Sequence, residues 1–174
     1  LCGSGRSTSS LIKYLLDRTE THQFKLHIAD QSITSIQEKV ANNENAHAIA
    51  LDIHNKEARE ALIQQADVVI SMMPAFLHPI IANDCLTFGK HLVTASYISN
   101  ELKEMDAEVK AKGIIFMNEC GLDPGIDHMS AMKTLDEIRE KGGNPVHFES
   151  FCGGLVAPES DDNIWNYKFS WNPR

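Results

Sequence analysis

Short apolar runs alternate with longer segments of helical period through the first 118 residues of the chain. This alternation is typical of a parallel sheet covered by crossover helices, since both faces of such a sheet are buried. It predicts strands at residues 24–29, 46–51, 67–71, 91–94 and 114–117. It predicts helices at residues 7–17, 32–42, 56–65, 79–88 and 99–112, the last with Ser99 as its N-cap. We therefore expect an α/β fold built on a doubly wound parallel sheet.

The pattern changes at Asn118, where residues 118–128 combine two glycines and a proline before a helix predicted at residues 127–141. Apolar and polar residues then alternate at residues 146–151, which predicts a strand of a second sheet. We expect a first domain over residues 1–119. Residues 120–174 are expected to form a junction helix and the beginning of a second α/β or α+β domain.

Both ends of the sequence are abrupt for such a fold. Only Leu1 and Cys2 precede the first glycines, where a central strand of the sheet would be expected. Residues 165–171 contain four aromatic side chains with almost no sequence after them to bury them. We expect the protein to extend beyond both Leu1 and Arg174.

Charge and composition argue against several classes of partner. The 16 basic and 24 acidic residues give a net charge of −8, so a nucleic-acid backbone would be repelled. The apolar stretches are too short to span a membrane, and the sequence begins without a basic and apolar leader. The four cysteines are scattered, which fits reduced thiols better than a metal site. We expect a soluble cytoplasmic protein that binds no nucleic acid, membrane or metal.

Residues 3–8 read GSGRST, which is close to the GxGxxG pattern of dinucleotide-binding turns. Gly3 allows a tight turn, and Gly5 lets the main chain approach a pyrophosphate at the N-terminus of the next helix. The other expected contacts in this turn are Ser4, Arg6 and Ser7. Thr8 replaces the third glycine and either loosens the helix packing or caps the helix. The turn predicts a Rossmann-type domain for a nicotinamide dinucleotide; an ordinary glycine turn is the alternative.

Asp30 ends the second strand of this predicted domain. A carboxylate at that position accepts hydrogen bonds from the ribose hydroxyls of NAD and repels the 2′-phosphate of NADP. We therefore predict NAD as the coenzyme, with NADP as the other possibility. The alternative is that Asp30 caps the following helix.

Two further strand ends carry candidate coenzyme contacts. Asp52 and Ile53 follow the third strand, where a doubly wound fold usually encloses the adenine. Met72 follows the fourth strand, on the nicotinamide side. Asp52 could equally be a solvated capping residue in a turn.

Several segments match one family in order and spacing. They are Phe76 with HP at residues 78–79, TASYI at 94–98, NECGLDPGIDH at 118–128, and CGGL, APE and YKFSW at 152–155, 157–159 and 167–171. These segments resemble the L-glutamate-forming branch of the saccharopine dehydrogenase family. The resemblance implies an N-terminal Rossmann domain followed by a larger α/β domain that binds substrate and supports dimerisation. The sequence departs from the family at Thr8, where alanine is commoner, and at Asp30, where NADP-using relatives carry basic or neutral residues.

The resemblance implies that hydride passes from the secondary amine of saccharopine to the nicotinamide, and that the imine is hydrolysed to L-glutamate and 2-aminoadipate 6-semialdehyde. Asp123 is the expected contact and proton acceptor of the substrate amine, with helix capping as the alternative. Ser96 and Tyr97 are expected to contact the substrate, with buried packing as the alternative for Tyr97. Leu122 and Pro124, which flank Asp123, are expected beside the coenzyme.

Three other polar residues in the same segments could each serve as an acid or base: His78, His128 and Glu119. We rank them below Asp123 for this role, because histidines at such positions are more often hydrogen-bonded structural residues. Two other functions are open. One is a dehydrogenase or reductase of a related amine, of the lysine 6-dehydrogenase or carboxynorspermidine synthase type. The other is an NAD-binding sensor or assembly module without chemistry. The resemblance also implies a homodimer formed through the second domain, and we expect residues 1–174 alone to be inactive.

Overall fold

Parallel strands and crossover helices alternate in the computed structural model, which describes residues 1–40, 43–151 and 156–168. The strands are β1 (Leu26–Asp30), β2 (Ala46–Ala50), β3 (Val68–Ser71), β4 (His91–Thr94) and β5 (Phe116–Met117). Strand β1 pairs in parallel with β2, and β4 pairs in parallel with β3 and β5. Cys2 bridges Ala29 of β1 and Ser71 of β3. The spatial order is therefore β2, β1, the segment around Cys2, β3, β4 and β5.

The helices of the described chain follow the strands in the order that the pattern predicted. They are α1 (Ser9–Leu16), α2 (Thr19–His22), α3 (Ile33–Val40), α4 (Lys56–Gln64), α5 (His78–Phe88), α6 (Asn100–Glu104), α7 (Asp106–Ala111) and α8 (Ile126–Glu140). Short 3-10 turns occur at Arg6–Thr8, Ala75–Leu77 and Pro158–Ser160. The predicted α/β fold with a parallel sheet is confirmed.

The helix predicted at residues 99–112 is divided in the structure. It consists of α6 and α7, which Met105 separates. Ser99 is the N-cap as predicted, since its hydroxyl oxygen accepts the N–H of Leu102 at 3.3 Å. Leu102 and Val109 are both buried, so the two short helices still present one apolar side to the core.

Helices cover both faces of the sheet. One buried cluster joins α1, β1 and α3 through Ile12, Ile28 and Ile36. A second cluster joins the segment at Cys2 to α4, α5 and the central strands; its members include Ile63, Val69, Ile81 and Leu92. Strands β1, β3 and β4 therefore contain buried residues, whereas β2, at the edge of the strand order, contains none.

A buried ion pair ties α4 to α5. The side chains of Arg59 and Asp84 are only 7% and 8% exposed, and the Arg59 Nε donates to an Asp84 carboxylate oxygen. Arg59 Nη1 also donates to the carbonyl oxygen of Ile53 at 2.5 Å. The attraction between the two charges and their hydrogen bonds offset the desolvation that burial of the pair costs. It also holds the loop after β2.

The chain divides into two compact units, Leu1–Gly125 and Ile126–Arg174. The second unit contains α8, and none of the residues of this helix is buried. The strand predicted at residues 146–151 is wrong: this segment is irregular, with Val146 92% and Phe151 88% exposed. A strand requires a neighbour for its backbone hydrogen bonds, and no neighbour pairs with this segment among the described residues. The predicted motif segments at 152–155 and 169–171 lie outside the described residues.

No helix within residues 1–40, 43–151 and 156–168 is long and apolar enough to cross a membrane.

Candidate active site

The carboxyl ends of the parallel strands bring the predicted site residues of the first unit to one edge of the sheet. Parallel doubly wound sheets bind ligands at this edge, where each loop leaves a strand toward a helix. Here the edge carries the glycine turn after Cys2, Asp30 at the end of β1, and the loops that follow β3, β4 and β5. The predicted positions therefore lie where a common site requires them.

The glycine turn at residues 3–5 has one packed side and one open side. Gly3 has a φ of +99°, and a Cβ there would lie 2.9 Å from the carbonyl oxygen of Met72, so the tight turn requires glycine. Nothing lies within 4 Å of the position that a Cβ on Gly5 would take. Gly5 immediately precedes the helical turn Arg6–Thr8, and unpaired N–H groups at the start of a helix favour an anion. Thr8 is buried, and its hydroxyl supports the turn by donating to the Gly5 carbonyl oxygen at 2.7 Å.

The Asp30 carboxylate is anchored to the glycine turn. Its Oδ2 accepts hydrogen bonds from the Ser4 N–H at 2.6 Å and from the Ser4 hydroxyl at 2.9 Å, and its Oδ1 accepts the Ser32 N–H at 3.2 Å. Burial by itself raises the pKa of the Asp30 carboxyl, but these hydrogen bonds outweigh it and hold the pKa below its usual value. The N-cap of α3 is formed by Ser32, whose hydroxyl accepts the Ser35 N–H at 3.4 Å. Asp30 is thus an ionised carboxylate beside the turn, and it does not cap this helix directly.

The sequence did not reveal Lys39 as part of the turn. Its Nζ on α3 donates to the carbonyl oxygens of Ser4 and Gly5, the latter at 2.7 Å. The ammonium group thereby fixes the turn carbonyls and adds positive charge beside the predicted pyrophosphate position. A lysine near the end of an amphipathic helix has no sequence feature that distinguishes this contact from ordinary solvation.

A cavity of about 220 Å³ lies next to Asp30 at this edge. Its lining includes Asp30, Leu51, Ile53, His54 and Met73. Of the residues predicted to contact the coenzyme beyond Asp30, Ile53 lines this cavity. A larger groove of about 710 Å³ lies at the opposite, amino-terminal ends of β1 and β3, and its lining contains no predicted site residue.

Asp52 and Met72, predicted as coenzyme contacts, are not part of this cavity lining. Asp52 is exposed, and its Oδ1 accepts the His54 N–H at 2.9 Å within a turn, which is the alternative stated for this residue. Met72 is paired with the glycine turn through its main chain, because its N–H donates to the Cys2 carbonyl oxygen at 2.8 Å. The neighbouring Met73 lines the cavity in its place.

Tyr97 and Asp123 form a polar pair at the ends of β4 and β5. The Tyr97 hydroxyl donates to Asp123 Oδ1 at 2.8 Å. Tyr97 is 63% exposed, so it is not the buried packing residue of the alternative interpretation. The two side chains were predicted at separate positions in the sequence, and the fold places them in direct contact.

The turn that carries Asp123 is closed by glycines. The Gly121 N–H donates to the Pro124 carbonyl oxygen at 2.9 Å, and a Cβ on Gly125 would lie 2.2 Å from the Gly121 carbonyl oxygen. Only glycine fits at Gly125, which also has a φ of +149°. Leu122 is 72% exposed at the tip of the turn, whereas Pro124 is buried.

Main-chain bonds extend the sheet beyond β4 and β5 and fix Ser96 beside this turn. The Glu119 N–H donates to the Ser96 carbonyl oxygen at 3.0 Å, and the Ile98 N–H donates to Glu119 Oε1 at 3.2 Å. Glu119 therefore fastens the Ser96–Tyr97 segment to the chain after β5. His128 lies in the second compact unit.

Together these features define a class of protein. The strand order, the glycine turn with one open side and the carboxylate after the neighbouring strand are the architecture of Rossmann-type dinucleotide-binding domains. Residues 1–117 match the family model "Saccharopine dehydrogenase NADP binding domain", and residues 121–174 match "Saccharopine dehydrogenase C-terminal domain". The chain belongs to the saccharopine dehydrogenase family.

Curated relatives agree with this assignment. Saccharopine dehydrogenase [NADP(+), L-glutamate-forming] from Pyricularia oryzae is 39% identical over 174 residues, which cover all of this chain and 38% of that protein. The mitochondrial alpha-aminoadipic semialdehyde synthase of Mus musculus is 38% identical over 172 residues, 98% of this chain and 18% of that protein. This chain thus spans well under half of the relatives' length.

Solved structures give the same result. Apo saccharopine dehydrogenase (L-Glu forming) from Saccharomyces cerevisiae matches with a TM-score of 0.80 and 37% identity, covering 98% of this chain and 37% of that chain. An NAD binding oxidoreductase from Klebsiella pneumoniae matches with a TM-score of 0.58 and 17% identity, covering 81% of this chain and 38% of that chain. The second likeness shows the fold alone.

Proposed function

We propose that this chain forms the coenzyme-binding part and one side of the substrate site of an L-glutamate-forming saccharopine dehydrogenase. The observation that carries the proposal is the Tyr97–Asp123 pair, a hydrogen-bonded carboxylate at the carboxyl edge of the same sheet that bears the open glycine turn. Relatives of this name, at about 39% identity over the full chain, support the substrate class. The reaction would remove a hydride from the C–H and a proton from the N–H of a secondary amine, which leaves an imine.

The residues present fit a nicotinamide dinucleotide. Gly5 leaves the space that a pyrophosphate needs, and Lys39 fixes the adjacent carbonyl oxygens so that the turn can present its N–H groups. The 220 Å³ cavity beside Asp30 would take the adenosine. The bound coenzyme would supply hydride acceptance, and the protein would position the reacting C–H against it.

Asp123 would bind the substrate amine. Its carboxylate accepts the Tyr97 hydroxyl through Oδ1, which orients the group. The secondary amine must be unprotonated when hydride leaves, and a carboxylate within hydrogen-bond reach can accept its proton. In this proposal Tyr97 positions Asp123, Ser96 contacts the substrate from the end of β4, and Leu122 and Pro124 contact the coenzyme.

The choice between NAD and NADP rests on two opposed observations. The family model and several relatives are named for NADP. In this chain, however, the ionised Asp30 carboxylate lines the adenosine cavity, and its negative charge opposes a 2′-phosphate. We infer that NAD binds more tightly than NADP to this protein.

The test is turnover by the complete native protein that contains this chain. NADH or NADPH formation with saccharopine supports the proposal, and Asp123→Asn should lower kcat about 10²-fold or more because it removes the proton acceptor. Asp106→Asn, a change to an exposed carboxylate on α7, is the matched control and should leave kcat unchanged. Coenzyme binding without turnover of saccharopine, or a near-normal rate for Asp123→Asn, would contradict the proposal.

A further inference from the structure

His78 connects the ends of two neighbouring strands from beneath the proposed site. Its Nδ1 is 2.8 Å from the hydroxyl oxygen of Ser71, the last residue of β3. Its Nε2 is 2.7 Å from the hydroxyl oxygen of Ser96 and 3.0 Å from that of Thr94, the last residue of β4. His78, Ser71 and Thr94 are 3%, 0% and 1% exposed, so these three members of the network are buried.

This network holds Ser96 at two atoms. The ring nitrogen of His78 contacts its side-chain oxygen, while the Thr94 hydroxyl oxygen accepts its main-chain N–H at 3.3 Å. A neutral imidazole carries one donor and one acceptor, so the state of one ring nitrogen fixes that of the other. The contact with Ser71 therefore influences whether the ring donates to Ser96 or accepts from it. In a buried network these hydrogen bonds are rigid, because breaking one of them leaves a buried polar group unpaired.

We propose that His78 is a positioning residue that fixes the Ser96 hydroxyl for contact with the amino-acid substrate. The inference rests on the proposed function, which places the substrate beside Ser96 and Tyr97. His78 acts through Ser96: it is buried at the start of α5, and Ser96 is only partly buried. The sequence interpretation of His78 as a hydrogen-bonded structural residue is thus incomplete, since one of its partners belongs to the site.

Two substitutions of His78 separate this role from plain structural support. Gln and Asn each place an amide group where the imidazole was. The longer Gln side chain reaches the Nε2 position and Ser96, whereas the shorter Asn side chain reaches the Nδ1 position and Ser71. In the complete native protein, His78→Asn should raise KM for saccharopine roughly tenfold, as expected for the loss of one buried hydrogen bond. The Kd for the coenzyme should change little. His78→Gln should stay within about threefold of the wild-type KM. Equal effects of the two variants would overturn the proposal.

A double-mutant cycle tests whether the effect passes through Ser96. In a Ser96→Ala background, His78→Asn should raise KM by less than about twofold, because the positioned hydroxyl is already absent. A full tenfold effect in that background would overturn the proposal. His91→Gln is the matched control, since the Nδ1 of His91 accepts the Ile115 N–H at 3.0 Å at the opposite end of β4. The His91→Gln variant should leave KM for saccharopine unchanged. Thermal unfolding of each variant shows whether that variant is folded.

A measurement without turnover distinguishes failure of this proposal from failure of the proposed function. The ¹⁵N resonance of His78 Nε2 should move in Ser96→Ala, while that in His91→Gln should stay in place. If saccharopine is not turned over but the Nε2 resonance responds, the proposed function fails and the contact stands. If the resonance does not respond in Ser96→Ala, the positioning role is refuted whatever the substrate.

Discussion

Asp30 serves both the glycine turn and, in our proposal, the choice of coenzyme. Its Oδ2 accepts hydrogen bonds from the Ser4 N–H and hydroxyl, and Asp30 lines the 220 Å³ cavity that we propose takes the adenosine. Asp30→Asn keeps the shape and removes the negative charge. The ratio of Kd for NADPH to Kd for NADH should therefore fall by about tenfold or more, as measured by coenzyme titration. Asp52→Asn, an exposed carboxylate in the next loop, is the control and should leave the ratio unchanged.

The pH dependence of the preference for NADH over NADPH follows from the pKa of the Asp30 carboxyl. Hydrogen bonds hold that pKa below its usual value, so the carboxylate stays charged at neutral pH and loses its charge only as the pH falls through the lowered pKa. The preference of the wild-type protein should be constant near pH 7. Tighter binding of NADPH than NADH at pH 7 would show that the inference for NAD is wrong.

Most of the candidate residues proposed from the sequence lie at one edge of the sheet, but the sequence did not decide which side chains face the cavity. The glycine turn and Asp30 were predicted because their residue types and spacing carry a physical requirement. Of the candidate coenzyme contacts after β2 and β3, Ile53 lines the cavity, whereas Asp52 does not and Met73 takes the place expected for Met72. Successive side chains at a strand end point to opposite sides, and the twist after the last hydrogen bond decides which one faces the ligand. Lys39 gave no signal because its contact is with main-chain atoms.

At the scale of elements, the ion pair between α4 and α5 is a point of vulnerability. Arg59→Met leaves the Asp84 charge buried without its partner and should lower the free energy of unfolding by roughly 3–5 kcal/mol, measured by urea unfolding. Lys110→Met, which removes the exposed pair with Asp106 on α7, should cost less than about 1 kcal/mol. The double variant Arg59→Met with Asp84→Leu should recover much of the loss. A loss for Arg59→Met as small as that for Lys110→Met would contradict the structural role.

The helices and strands of the first unit were well predicted, and in the second unit the helix predicted at residues 127–141 is present as α8 but the predicted strand is not. In the first unit short apolar runs recur between segments of helical period, so the positions of the strands are readable from the sequence. In contrast, alternation at residues 146–151 predicted a strand that is absent, since Val146 and Phe151 are exposed and no partner strand among the described residues covers them. A strand depends on its neighbours, and a local pattern does not supply them.

At the scale of the whole molecule, the chain spans 38% of the length of its L-glutamate-forming relatives. We expect residues 1–174 alone to show no turnover of saccharopine, because one half of a substrate site cannot fix several carboxylates. The measurement is NADH and NADPH formation by residues 1–174 beside the complete native protein at equal concentration. Turnover by residues 1–174 within about tenfold of the complete protein would contradict the expectation.

The homodimer formed through the second domain and the cytoplasmic location remain predictions. Relatives from Mus musculus and Bos taurus are named as mitochondrial. Size-exclusion chromatography of the complete protein and imaging in cells would address the two separately.

The sequence by itself determined the fold class, the glycine turn and the family, because these depend on local requirements: a periodic pattern of burial, a backbone that only glycine can adopt, and motifs at fixed spacing. Only the tertiary structure decided that Tyr97 contacts Asp123, that Lys39 fixes the turn, and that His78 links Ser71 to Ser96. Each of these contacts joins residues on different elements. Their distances are set by how strands and helices pack together, which no local pattern of residues specifies.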